Sequence, residues 1–167
     1  MLLTITLKGS IKFRTLEKDN IIREEWNGVH AQSPSHVTIR NWTLKLGYYE
    51  LFHPKEKADD WIILLDHSVQ FGREKIFVVL GIRERDFLKM KRPLKYTDLK
   101  TLLIVNKVRW TGELVAAEIK KLEPTIGKIK YAVGDYGSDL RKGLLLLNIS
   151  HIHDLSHLIA LTLEKIY

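Results

Sequence analysis

Two aspartates stand where carboxylates are costly. Asp66 interrupts the apolar run of "WIILLDHSVQFG", residues 61–72, and Asp135 closes "IKYAVGD", residues 129–135. A carboxylate drawn out of water needs a hydrogen-bonding partner or a cation. Two like carboxylates that approach each other repel unless a cation lies between them. Mg²⁺, or Mn²⁺ in its place, is a hard cation that takes one or two carboxylates and keeps several waters. At a phosphodiester such ions activate a water or a 3′-hydroxyl and stabilise the leaving oxygen. Asp66 and Asp135 are therefore the candidate metal ligands and catalytic acids. The plainer readings are a solvent-facing Asp66 and an Asp135 that caps the turn "DYGSD".

A second cluster is "HIHDLSH", residues 151–157. His151 and His153 share one face of a strand, and Asp154 and His157 lie one helical turn apart. Zinc accepts such nitrogen and oxygen ligands; hydrogen-bonded structural histidines are the alternative. Asp154 follows His153 directly, and Glu164 lies farther along the chain. Asp139 reads as a helix-start residue favoured by the helix dipole.

Such residues need a scaffold, and the hydropathy pattern supplies one. Strands are predicted at 61–69, 74–83, 101–107, 128–134 and 148–154. Helices are predicted at 112–122 behind Thr111, at 138–147 and at 155–167. Three sequential strands suggest a meander, and the later strand–helix–strand units suggest parallel pairing through crossover helices. The α/β solution is a mixed five-stranded sheet with flanking helices, the layout of the ribonuclease H-like fold. The continuous apolarity of residues 62–65 places the first strand at the centre, between the second and the fourth. Asp66 and Asp135 then fall on neighbouring strands, with carboxylates about 4–8 Å apart, the span of one shared ion or an ion pair.

The amino-terminal portion, 1–58, reads as a separate helical segment and linker before a domain at 59–167. Residues 1–15 could be a strand pair or an arm, and 16–31 carry apolar residues at helical spacing. Ser33 or Ser35 can cap a helix over about 33–46, with Gly47 as its stop and 48–60 as linker. That helix resembles the recognition half of a helix-turn-helix. Its exposed face would carry His36, Thr38, Arg40, Asn41 and Lys45, and Arg and Asn can read guanine and adenine edges in the major groove. An ordinary amphipathic helix is the alternative. Arg83, Arg85, Lys89, Lys91, Arg92 and Lys95 cluster between the second and third strands, either tracking DNA phosphates or forming a solvated loop.

The chain has 167 residues, a formal net charge of +7 and no cysteine. The charge favours a polyanionic partner. The lack of cysteine excludes disulfides and thiolate metal sites and suits the cytoplasm. No stretch approaches the roughly 20 apolar residues of a membrane span, and no signal peptide precedes the first strand.

Together "DDWIILLDHSVQFGREKIFVVLGIR", "IKYAVGDYGSDLRKG" and "HIHDLSHLIALTLEKIY" resemble transposases of bacterial insertion sequences and, more broadly, the DDE/D recombinase superfamily. The resemblance covers about residues 59–167. It implies that Asp66 and Asp135 are the first two acids. It also implies that "DLSH", with Asp154 and His157, matches the Asp-x-x-His of Mutator-like families. Implied partners are transposon-end and target DNA and a second subunit; the implied cofactor is Mg²⁺ or Mn²⁺. The family's third acid, usually Glu, lies on a helix beyond the fifth strand, whereas the chain stops at Tyr167. The expectation is therefore an amino-terminal portion of a transposase that binds DNA and shows little strand transfer alone. Two other readings stand beside it: a non-catalytic DNA-binding remnant, and a metal-dependent nuclease complete with Asp66, Asp135 and Asp154.

Overall fold

The computed structural model of the chain describes residues 12–28, 33–135 and 137–154. These divide into two compact units, one ending at His53 and the other beginning at Pro54. The first holds helices α1, Phe13–Asn27, and α2, His36–Phe52, which pack on each other. Ser35 starts α2, its hydroxyl accepting the Thr38 N–H over 3.2 Å. Leu16 and Ile39 are buried, and His36 Nδ1 meets Glu17 over 2.9 Å. Gly47 does not stop α2: the helix continues to Phe52, where the His53 N–H donates to the Tyr49 carbonyl. One interior glycine costs only about 1 kcal/mol, which the flanking helical residues outweigh. The segment "YYELF" is thus helix rather than linker, and Phe13–Thr15 begin α1 rather than belonging to a strand. Residues 1–11, the other part of the expected arm, lie outside the described residues.

The second unit is a five-stranded sheet. Its strands are β1, Ala58–Phe71; β2, Glu74–Arg83; β3, Lys100–Lys107; β4, Gly127–Gly134; and β5, Ser150–His153. Their spatial order is β3-β2-β1-β4-β5, with β1 central as predicted. β1 and β2 form a tight hairpin in which Phe71 pairs with Glu74. Gly72 adopts φ 63° in the two-residue turn, where a left-handed conformation matches the twist of the flanking strands. β2 and β3 are antiparallel, whereas β4 runs parallel to β1 and β5 parallel to β4. The parallel joins pass through helices α4, Gly112–Lys120, and α6, Ser138–Leu146, as crossover connections require. Two short helices complete the unit, α3 at Glu84–Lys89 and α5 at Glu123–Ile126. This is a ribonuclease H-like α/β fold.

The alternation of β1 separates two faces. Trp61, Ile63 and Leu65 turn into the core with Phe77, Val79 and Ala132. Val115 and Ile119 of α4 and Leu140 and Leu144 of α6 join them there. Leu64 and Asp66 point the other way. A helix spaced at 3.6 residues covers one face of a sheet, so this division follows from the sequence periodicity.

The stretch 84–99, expected as a plain basic connection, is more structured. It holds α3 and a 3₁₀ turn at Tyr96–Asp98. The expected helix 155–167, with His157 and Glu164, lies outside the described residues. Among the described residues no helix is long and apolar enough to cross a membrane.

Candidate active site

The strand register assembles the site. Leu64 pairs with Val133, and Leu65 with Gly134, on β1 and β4. Val133 pairs with Ile152, and Gly134 with His153, on β4 and β5. One step further along each strand stand Asp66, Asp135 and Asp154. The Asp154 N–H donates to the Gly134 carbonyl over 2.9 Å, so the ladder persists to that level. Neighbouring strands lie about 4.8 Å apart, and the three aspartates form a transverse row across β1, β4 and β5. They line one cleft of about 500 Å³ with Leu64, Val78, Leu80, Val133 and Gly134. Asp66 is exposed on its strand, while Asp135 and Asp154 are half-buried.

Asp135 is held as well as placed. Its Oδ1 accepts the Gly137 N–H over 2.9 Å, an Asx turn that leads into α6. Asp135 therefore makes the expected turn contact while lining the cleft. A Cβ on Gly134 would come within 3.2 Å of the Leu65 carbonyl, so glycine lets β4 close on β1 just before the two acids.

Among the described residues, the polar side chains lining the cleft are carboxylates, the chemistry that Mg²⁺ or Mn²⁺ prefers. Among the described residues no three Asp, Glu, His or Cys side chains converge enough to enclose an ion. Mg²⁺ is commonly held by one or two carboxylates with waters completing the shell, so the Asp66–Asp135 pair fits such an ion.

The described part of "HIHDLSH" brings its two strand histidines together. His151 and His153 stack with ring centroids 4.3 Å apart. Burial pushes the His151 imidazole below its ordinary pKa, and the neighbouring His153 adds to this. The partner His157 lies outside the described residues.

The candidate DNA-facing residues divide by environment. Arg40, Asn41 and Lys45 are exposed on α2, whereas His36 and Thr38 are half-buried. Lys89, at the end of α3, and Lys91 are both exposed. Arg83 requires a correction: it is 9% exposed, stacks over Trp61 and is ion-paired with Asp60 and Glu56. It sits at the last position of β2, opposite Trp61, where alternation turns it inward. Its charge is spent inside the unit. Arg92 is similarly engaged, forking onto Asp98 at 2.7 and 2.8 Å.

One residue escaped the sequence reading. His67 follows Asp66, so alternation sends its ring to the opposite, core side. There it packs against Phe77 and Trp110, with centroids 5.3 and 5.5 Å away, and Nε2 lies 2.9 Å from Asp139 Oδ2. The only hint in the sequence was its place in the strand alternation.

No protein-family model matches the sequence, and no curated protein matches it. Solved structures with a similar general layout include the following three. One is the human T-cell lymphotropic virus 2 integrase catalytic core domain in complex with magnesium, trimeric form. It is 10% identical, with 61% of this chain and 63% of that chain covered and a TM-score of 0.35. The dimeric form of the same core gives 10% identity, 60% and 63% coverage and a TM-score of 0.33. The third is the simian T-cell lymphotropic virus intasome in complex with the PP2A regulatory subunit B56 gamma. It gives 9% identity, 74% and 45% coverage and a TM-score of 0.35. The chain spans under two thirds of the length of each of these.

Proposed function

We propose that the chain is a polynucleotidyl transferase of the DDE/D type, similar to insertion-sequence transposases, that acts on DNA ends. The observation that carries this reading is the row of Asp66, Asp135 and Asp154 at one level of β1, β4 and β5. Asp66 and Asp135 would hold a divalent cation, Mg²⁺ or Mn²⁺. When bound, that ion supplies Lewis-acid stabilisation of the phosphodiester oxygens and an activated hydroxyl. The chain's own contribution is positioning. β1 and β4 fix the two carboxylates, and the Asx turn holds Asp135. The apolar floor of Leu64, Val78, Leu80 and Val133 limits water around the reacting phosphate.

DNA would be engaged by two kinds of contact. Lys89 and Lys91 would meet phosphates, which set affinity and its salt dependence. Arg40, Asn41 and Lys45 on α2 would approach bases or backbone as a recognition helix does. A second subunit is part of the proposal, because joining two DNA ends requires two sites.

A nuclease reading is favoured by one specific observation: Asp154 belongs to the row, so three acids already line the cleft. The test is an assay of the chain with Mg²⁺ or Mn²⁺ on labelled duplex ends. Nicking lost in Asp66→Ala and Asp135→Ala supports the site. Nicking without joining selects the nuclease. DNA binding with no divalent-dependent chemistry, unaltered by either variant, removes the catalytic reading and leaves a DNA-binding remnant.

A further inference from the structure

We infer that His67 and Asp139 form a clamp that fixes the spacing between the strand bearing Asp66 and the loop bearing Asp135. The inference deepens the proposed metal site and rests on it for its functional consequence. Four observations converge. His67 is the neighbour of Asp66 on β1, and its side chain is only 12% exposed. Both ring nitrogens are shut off from solvent, and neither makes a well-aligned hydrogen bond with a described residue. Nε2 nevertheless approaches Asp139 Oδ2 to 2.9 Å. A carboxylate can only accept, so a hydrogen bond across this contact requires the imidazole proton on Nε2.

Asp139 sits in the first turn of α6, where the helix dipole favours a negative charge. It is four residues past Asp135, and Gly137 lies between them. A Cβ on Gly137 would fall 3.0 Å from Asp135 Oδ1 and 3.1 Å from Asp139 Oδ1. The Gly137 N–H already serves Asp135. The start of α6 thus holds Asp135 through Gly137 on one side of the sheet and meets His67 through Asp139 on the other. Phe77 and Trp110 fix the imidazole plane, and Trp110 is itself fixed by its indole N–H donating to the Lys75 carbonyl over 3.0 Å. His67 and Asp139 are positioning residues. Neither lines the cleft.

The test uses the full chain as His67→Ala, His67→Gln, Asp139→Asn and the core control Ile119→Val. Two quantities are read: amide exchange at Gly137 relative to Val79, and Mn²⁺ affinity by titration calorimetry. Opening of the clamp should speed Gly137 exchange about tenfold in Asp139→Asn, with the Val79 amide unaffected. Mn²⁺ affinity should fall about tenfold, the usual effect of losing an outer-shell partner. His67→Gln, whose amide can still donate to Asp139, should restore most of both, and Ile119→Val should alter neither. Asp139→Asn keeps the assay readable if His67→Ala does not fold. Unchanged Gly137 exchange, or a Mn²⁺ loss no larger than in Ile119→Val, overturns the clamp. If the native chain binds no Mn²⁺ while Gly137 exchange still responds, the clamp stands and the metal reading falls. If Mn²⁺ binds normally and neither readout moves, the clamp falls and the metal reading stands.

Discussion

The Asp154 backbone N–H donates to the Gly134 carbonyl over 2.9 Å, one step past the last paired residues of β4 and β5. This bond brings Asp154 level with Asp135, and through the β1–β4 register with Asp66. If the row is one functional unit, its members act together. Asp66→Ala and Asp135→Ala should each lower divalent-dependent DNA cleavage about 100-fold or more, the scale of losing a charge-stabilising group at a reacting centre. Asp154→Ala should match them if three acids are required. An Asp154→Ala chain with native cleavage rates would confine the site to the pair.

The same row should be costly when no cation is present. Like carboxylates at one level repel. In chelator, Asp66→Asn and Asp135→Asn should therefore raise the Tm by about 1–2 °C, the shift of roughly half a kcal/mol in a domain this size. Saturating Mn²⁺ should reverse the ranking, because a ligand at 100 times its Kd stabilises by about 2.7 kcal/mol and the variants lose it. Thermal unfolding with and without Mn²⁺ reads both signs. A variant that stays more stable with Mn²⁺ present would speak against a shared ion.

Much of this arrangement was legible in the sequence. The apolar run 62–65 marked a central strand, and the order of strands and helices placed β1 between β2 and β4, as the structure has it. That worked because sheet alternation and right-handed crossovers leave few alternatives. Asp66 and Asp135 could be placed on adjacent strands for the same reason. The fate of the cations was not legible. Arg83 and Arg92 look like their neighbours in sequence, yet one pairs with Asp60 and Glu56 and the other with Asp98. Those partnerships depend on side chains brought together by folding. The His67–Asp139 contact was hidden likewise, since it joins a strand to a helix across the core side of the sheet. Gly47 misled because a glycine signals a helix end only when the chain has somewhere else to go.

Helices α4 and α6 pack closely through glycine. A Cβ on Gly143 would lie 2.6 Å from Val115 Cγ1 and 3.0 Å from the Gly112 carbonyl. Backbone cannot yield as a flexible side chain does. Gly143→Ala should therefore destabilise the chain by about 1–3 kcal/mol despite the better helix propensity of alanine. Denaturant unfolding checks this, and an unchanged or raised midpoint would show that the two helices separate freely.

Acid should loosen two exposed pairs. The Arg92 guanidinium holds the Asp98 carboxyl down to about 2 from an ordinary 3.8. Lys142 holds Glu113 down to about 2 from 4.5. Each folded-state value is depressed, so the stability is present above the unfolded value and lost as pH falls towards 2. The Tm gap between the native chain and Asp98→Asn should be full at pH 5, shrink below pH 4 and close near pH 2. A gap that widens on acidification would reverse the assigned sign.

The last prediction separates reading from holding in the DNA contacts. Arg40 and Asn41 are exposed on α2, directly after the buried Ile39. Lys89 ends α3 in the other unit, and Lys91 follows it. Base contacts discriminate between sequences, whereas phosphate contacts add affinity without discrimination. With a DNA sequence selected by the chain itself, Arg40→Ala should weaken binding to that sequence by about 1–3 kcal/mol and random DNA far less. Lys91→Ala should weaken both alike and reduce the slope of log K against log salt by about one. Arg83→Ala should leave the slope unchanged and lower stability instead, because its charge faces Asp60 and Glu56. Equal losses on both DNAs for Arg40→Ala would move that residue to the phosphate backbone. A salt slope that drops in Arg83→Ala would place its guanidinium on DNA after all.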